Sequence, residues 1–412
     1  MAASNRILAL IPGFLLAMAI LPARGDDWPQ WRGPRQDGIS RETGLLAQWP
    51  EKGPKELWRV PLGSGFSAVS VVDDRAYTCF GASDAEFAVC LNMADGKTLW
   101  KTRLGDLFKS DSYGDGPRAT PTVDAGRVYV LSGKGGLCCL DAADGHVNWG
   151  CDLLTKFGGG VPARGSPEYG FAASPVVMDD LLVVVVGAGG GKSLVAFDKI
   201  SGKVRWTALD DKIGYSTPIE VTTDGVPQII VLMGEALVSV SPKDGKEFWR
   251  HEWKTELDAN VATPIISGDR LFISSGYSTG CALFALSAKD GKPAAEKLWA
   301  NKEMKNYFST AVLLNGYLYG FNNNKLTCLD FRTGKPKWKT GGFNRGSLIA
   351  ADGRLIILGE SGTLALAEAS PKAYREISKF PFCDERTWTV PTLSGGRLYV
   401  RNEKELACFM LR

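Results

Sequence analysis

From residue 57 to the end of the chain, apolar residues come in short runs separated by Asp-Gly, Gly-Gly or other Gly-rich breaks. Runs of this kind predict short strands joined by hairpins, because glycine accepts the positive φ that tight turns require. One unit recurs, and its clearest copy runs from Ala119 to Trp149. It opens with Ala119-Thr-Pro, turns at Asp124-Ala-Gly126 and continues as Arg127-Val-Tyr-Val-Leu131. A Gly-rich loop leads to Leu137-Cys-Cys-Leu-Asp141, and after Asp144-Gly145 a last strand ends on Trp149. Four strands per unit is the blade of a β-propeller.

The opening occurs eight times, as Ser67-Ala-Val, Ala119-Thr-Pro, Ala173-Ser-Pro, Ser216-Thr-Pro, Ala262-Thr-Pro, Ser309-Thr-Ala, Gly346-Ser-Leu and Thr389-Val-Pro. The first residue of every triplet is small, as expected where inner strands crowd around an axis. The Trp strand recurs at Trp58, Trp100, Trp149, Trp206, Trp249, Trp299 and Trp338, and the seventh unit replaces it with a Trp-free stretch, Ala373 to Phe380. The eighth unit stops after its third strand, Leu406 to Leu411. An orphan strand, Leu57 to Leu62, precedes the first unit and is expected to supply the missing one. The fold class predicted is therefore all-β: an eight-bladed propeller of four-stranded antiparallel blades, closed by an N-terminal strand that leaves no open edge. A pair of sandwiches does not explain the regular repeat, and the Trp-Asp and His signatures of WD40 blades are absent.

Composition adds a processing step and removes some functions. Arg6, the apolar run Ile7 to Leu21 and Ala23-Arg-Gly25 read as a signal peptide over residues 1–25, with cleavage before Asp26 and export to the periplasm or beyond. The run is short for a membrane span. Residues 26–56 carry Trp28, Trp31 and Trp49 among Gly and Pro, and are expected to form an extended arm packed along the propeller wall, with the propeller proper over 57–412. Without Arg6 and Arg24, 46 basic residues face 45 acidic ones, which argues against an electrostatic nucleic-acid binder. Two His residues offer little material for a His-rich metal site or a His-based triad.

The stretches Leu194-Val-Ala-Phe-Asp198-Lys-Ile-Ser-Gly202-Lys-Val-Arg-Trp206 and Leu326-Thr-Cys-Leu-Asp330-Phe-Arg-Thr-Gly334-Lys-Pro-Lys-Trp338 resemble the Trp-docking repeat of the PQQ-like propeller family. That family includes quinoprotein dehydrogenases and BamB-type propellers of outer-membrane assembly. Trp28-Pro-Gln-Trp31-Arg-Gly-Pro, Phe157-Gly-Gly and Gly276-Tyr-Ser-Thr-Gly280 are similar to an exported group abundant in planctomycete-type bacteria. The resemblance implies the fold and leaves the activity open. BamB-type lipoproteins carry a lipidated Cys that is missing here. Quinoprotein dehydrogenases hold pyrroloquinoline quinone over a calcium, and no motif maps onto that site. Asp258 with Asn260 is the nearest local pair.

Several motifs have plain structural readings. Cys139 of Cys138-Cys139 falls in a slot also held by Cys90, Ala196, Ser239, Ala285, Cys328 and Cys408, which reads as small-residue packing. The alternatives are a vicinal Cys138–Cys139 disulfide or a Cys79–Cys90 bridge. Gly187 to Ser193 resembles a phosphate loop but leads into a strand, where a phosphate loop needs a helix. Ser110 to Gly116 lacks the ligand spacing of a calcium loop. The more informative pattern is that long loops, at 105–118, 154–171 and near 187, 276 and 322, all fall on one face. The residue before each triplet should rim the channel there. With their neighbours these give the candidate ligand-binding rim: Phe66, Arg118, Tyr169, Tyr215, Asn260, Tyr307, Arg345, Arg386 and Trp388. Aromatics mixed with Arg could stack a planar anion or grip a peptide or glycan. The expected function is an exported, monomeric, non-catalytic scaffold binding a protein or glycan of the cell envelope, without a cofactor. The alternative is a pyrroloquinoline-quinone and calcium-dependent alcohol oxidoreductase.

Overall fold

The computed structural model describes residues 26–158 and 169–412, so the predicted signal peptide and the middle of the 154–171 loop lie outside the described residues. The strands form an eight-bladed propeller, and within blades one to seven they run from the axis outward in chain order. Blade one is typical, with Ser70–Val72, Arg75–Ala82, Ala85–Asn92 and Thr98–Asp106. Blade eight is closed by the N-terminal strand Lys55–Pro61, which pairs antiparallel with Glu405–Met410 and sets Trp58 opposite Cys408.

The triplets explain the axis. All their first residues are buried, and a Cβ on Gly346 would meet the Phe321 ring at 2.6 Å. Their second residues link neighbouring blades. Ala68 N donates to Thr120 Oγ1 (3.2 Å), Thr120 N to Ser174 Oγ (3.0 Å), Ser174 N to Thr217 Oγ1 (3.1 Å) and Thr263 N to Thr310 Oγ1 (3.0 Å). The carbonyls of Pro121 and Pro175 are taken by the hydroxyls of Ser70 and Thr122, each at 2.6 Å. Inner strands carry few ladder bonds on their axis side, so these hydroxyls satisfy backbone groups that no sheet reaches.

The outer strands dock by a Trp on a Gly. Trp100 of blade one lies against Gly145 of the Asp144-Gly145 turn in blade two, and its indole N–H donates to Ala142 O at 3.1 Å. Trp58, Trp149, Trp206 and Trp299 repeat this on Gly96, Gly202, Gly245 and Gly334. Gly145 has φ +76°, and a Cβ there would sit 2.6 Å from the Trp100 ring. Gly145→Ala is therefore expected to cost about 2–3 kcal/mol, read as a fall in the urea midpoint. A loss below about 0.5 kcal/mol would mean that the Trp–Gly contact does not hold the blades. Blade five departs from the pattern. Its outer hairpin is long, Gly280–Lys289 with Lys292–Asn301, and Trp299 stands opposite Leu283. The small slot assigned to Ala285 is thus displaced, whereas Cys90, Cys139, Ala196, Ser239, Cys328 and Cys408 do stand opposite their Trp. With Gly291 moved away, Trp249 donates instead to Gln228 Oε1 at 3.0 Å. In blade seven Phe380 takes the place of Trp and packs on Gly53, just ahead of the closing strand. All nine cysteines are free.

The arm passes beneath the ring before it reaches the wall. Trp28 pairs with Val71 of blade one, and Pro29 O accepts from Val123 N of blade two. Gln36 reaches Pro218 O of blade four, and Ile39–Ser40 pairs in parallel with Ala350–Ala351 of blade seven. Arg32, only 2% exposed, donates to Gln36 O, Asp37 O, Thr310 O and Ala311 O. These contacts lie toward the short-turn ends of the inner strands, so the arm stoppers the channel on that face. Only then does it climb outward, where Trp49 N donates to Ser378 Oγ at 2.8 Å.

Candidate functional site

With the channel stoppered from one face, a blind pocket of about 120 Å³ opens on the other, the face of the long loops. Trp31 of the arm lines it, and its indole N–H donates to Thr263 Oγ1 at 2.8 Å. The walls are aromatic. Phe66 and Trp388 have ring centroids 5.5 Å apart, Trp388 and Phe308 5.0 Å, and Tyr277 and Tyr307 4.6 Å. Tyr169 lies 4.6 Å from Tyr113 and 5.0 Å from Tyr215, and its hydroxyl meets that of Tyr277 at 2.6 Å. Burial pushes the deprotonation of both Tyr169 and Tyr277 upward, so they remain neutral.

Arg118 is the charged residue of the lining among the described residues. Its guanidinium lies 4.8 Å from the Phe108 ring and 5.5 Å from Phe66, and donates to Gly116 O (2.7 Å) and Gly114 O (2.8 Å). Burial lowers its pKa to about 10, still well above neutrality. The loop it grips is anchored by Glu86, a fully buried carboxylate that accepts Phe108 N (3.1 Å) and Gly133 N (2.7 Å). Burial is the larger influence on Glu86 and raises its carboxyl, and Glu42 is raised by burial as well. A carboxyl with a higher pKa folded than unfolded binds more protons in the fold, so stability falls as pH rises through that window. Glu86→Gln is expected to flatten the fall in urea midpoint as pH rises above the ordinary glutamate value of about 4.3. It should also lower stability throughout, because an amide accepts only one of the two N–H groups. An unchanged slope would place the titration elsewhere.

Of the nine rim residues expected from sequence, Phe66, Arg118, Tyr169, Tyr215, Tyr307 and Trp388 line the pocket. Arg345 and Arg386 sit at its mouth, 4.3 Å over Tyr307 and 4.3 Å over Trp388. Arg386 is held by Glu403 through two bonds of 2.9 Å. Asn260 is elsewhere. Fully buried, it donates to Met233 O, Gly234 O and Trp253 O and accepts from Ser275 Oγ, which pins the blade-four loop. Asp258 pairs with Lys212 at 3.3 Å. Sequence reasoning missed three aromatics of the lining: Trp31, Tyr113 and Tyr277. Tyr277 and Ser278 hold φ +49° and +62° in the two-residue turn Gly276 to Thr279, a left-handed pair uncommon for such side chains.

The donor set does not fit a calcium-held quinone. Calcium takes six to eight oxygen ligands, with carboxylates prominent among them. Among the described residues the pocket lining contributes neither a carboxylate nor a side-chain amide. Glu360 is bonded to Trp388 Nε1 at 2.8 Å, and Glu86 and Glu403 are occupied as above. Among the described residues no cluster of His, Cys, Asp and Glu could hold a metal.

The sequence profile of a family described as outer membrane protein assembly factor BamB matches residues 44–167 and 164–340. The chain belongs to this BamB-type, PQQ-like propeller family. It is 23% identical to the outer membrane protein assembly factor BamB of Yersinia pestis over 363 residues, 82% of each chain. Among solved structures, BamB from Moraxella catarrhalis superposes with a TM-score of 0.61 at 14% identity, over 87% of this chain and 99% of that one. The quinohemoprotein alcohol dehydrogenase of Comamonas testosteroni superposes at 0.65 with 11% identity, over 94% and 81%. At these identities the superpositions speak for the fold alone. No helix of the described residues is long and apolar enough to cross a membrane.

Proposed function

We propose that the chain is an exported, non-catalytic binding propeller of the cell envelope, working as a monomer, and that the aromatic pocket is where it grips its partner. The observation that carries this reading is the lining itself, aromatic on several sides with an indole beneath and, among the described residues, no carboxylate to serve as base or cation ligand. Strain in the Tyr277 turn supports it, since left-handed non-glycine residues concentrate where a side chain must be held in place. The role printed for its BamB relatives, outer membrane protein assembly, makes an envelope protein the favoured partner over a glycan. Export rests on residues 1–25.

The test is to titrate purified mature protein with pyrroloquinoline quinone and calcium, assay dye-linked alcohol oxidation, and separately titrate N-acetyl-tryptophanamide. The expected result is no quinone-dependent turnover, together with binding of the indole probe that Trp388→Ala abolishes. Turnover on alcohol would overturn the proposal and make the pocket an active site.

A further inference from the structure

Resting on that reading, we infer that the pocket takes an aromatic side chain presented by a partner protein next to a carboxylate. Size comes first. A cavity of about 120 Å³ is ring-sized, since roughly 150 Å³ of apolar space accommodates a benzene molecule. Chemistry narrows the ring. Aromatic cages also bind ammonium groups, but those ligands need a site free of positive charge. Here Arg118 is part of the wall and Arg345 lies over Tyr307. A sugar needs several donors and acceptors around its edge. The hydroxyls of Tyr169 and Tyr277 face each other, and those of Ser174 and Thr217 each accept a backbone N–H of the preceding blade. An aromatic side chain makes no such demand and gains edge and face contacts with its neighbours.

The carboxylate follows from the mouth. Glu403 is paired with Arg386, and Glu360 is turned to the indole of Trp388 and the backbone N–H of Arg345. Among the described residues the exposed guanidinium of Arg345 has no carboxylate partner. Resting on Tyr307, it can meet an acidic residue next to the inserted ring, in the bidentate manner that arginine favours.

The experiment uses the full mature chain and three fluorescently labelled peptides, Gly-Asp-Trp-Asp-Gly, Gly-Ser-Trp-Ser-Gly and Gly-Lys-Trp-Lys-Gly, with maltotriose as the sugar probe. At low ionic strength the Asp peptide is expected to bind roughly tenfold tighter than the Lys peptide. Arg345→Glu, a change at an exposed position, should reverse that order, and filling the pocket with Ala172→Trp should abolish binding of all three. Equal affinities that Arg345→Glu leaves unchanged would overturn the carboxylate while leaving the pocket as a ring-binding site. Binding that survives Ala172→Trp, or maltotriose outcompeting the peptides, would overturn the inference as a whole. If neither the peptides nor N-acetyl-tryptophanamide binds, the proposed function falls with it.

Discussion

Arg401→Met is expected to lower stability by about 3–5 kcal/mol, read as a shift of the urea midpoint without a change in slope. Arg401 ends the strand Arg397–Arg401 of blade eight and is 1% exposed. Its guanidinium crosses the seam into blade one, donating to Ser67 O (3.0 Å), Cys79 O (2.8 Å) and Gly63 O (3.1 Å). Among the described residues no carboxylate forms an ion pair with it, and burial outweighs the more distant Glu403 and lowers its pKa to about 10, so carbonyl dipoles and the Thr78 hydroxyl do most of the holding. Methionine fills much of the volume but takes this donor from Cys79 O and Gly63 O, each loss carrying a desolvation penalty of about 1–3 kcal/mol, while Ser67 O keeps the Thr78 hydroxyl. Arg401→Lys should rescue little, because one ammonium cannot reproduce a planar fork that reaches several carbonyls. A loss under about 1 kcal/mol would show that the strand pairing of Lys55–Pro61 with Glu405–Met410 closes the ring unaided.

The parts of the fold that were legible in sequence are those where one local constraint recurs. Each triplet needs a small first residue, and several need a hydroxyl second, because neighbouring inner strands touch. The spacing of Asp-Gly to Trp reflects a ring seated on a Cα with no Cβ, as at Gly145 and Gly202. The closing strand showed itself as an element with no partner in its own unit. Blade five slipped because an outer hairpin longer than its siblings moves Trp299 and Gly291 together, and a sequence pattern carries no register. The site was half legible for a related reason. Rim positions set by the repeat, such as Phe66, Tyr215 and Trp388, can be counted from the triplets. Tyr113 and Tyr277 enter from loops whose course no period describes. Asn260 stood beside a counted position, yet its amide turned to the carbonyls of Met233 and Gly234 in a neighbouring hairpin loop and of Trp253 in its own, a demand that appears only once the loops are folded. The arm was the hardest to place, since an extended Gly- and Pro-rich segment carries no periodicity to say which surface it meets.

That arm carries the second large effect. Trp31→Ala is expected to reduce binding of N-acetyl-tryptophanamide at least tenfold and to cost about 3 kcal/mol of stability. The indole is the pocket's contact with the arm, bonded to Thr263 Oγ1, which lies on the hydroxyl belt next to Thr310. Alanine removes the ring beneath the ligand and strands the Thr263 hydroxyl in the channel. Water can then enter above Arg32, whose four carbonyl partners hold the rest of the stopper in place. Trp31→Phe separates the two contributions. It restores a ring face without the N–H, so binding should recover most of the way while stability recovers only in part. If Trp31→Ala binds the probe as the native chain does, the arm is a structural plug with no share in the site. If both variants lose stability but only alanine loses binding, the arm is an integral wall of the pocket, and anything that loosens its docking on the short-turn face alters binding on the other.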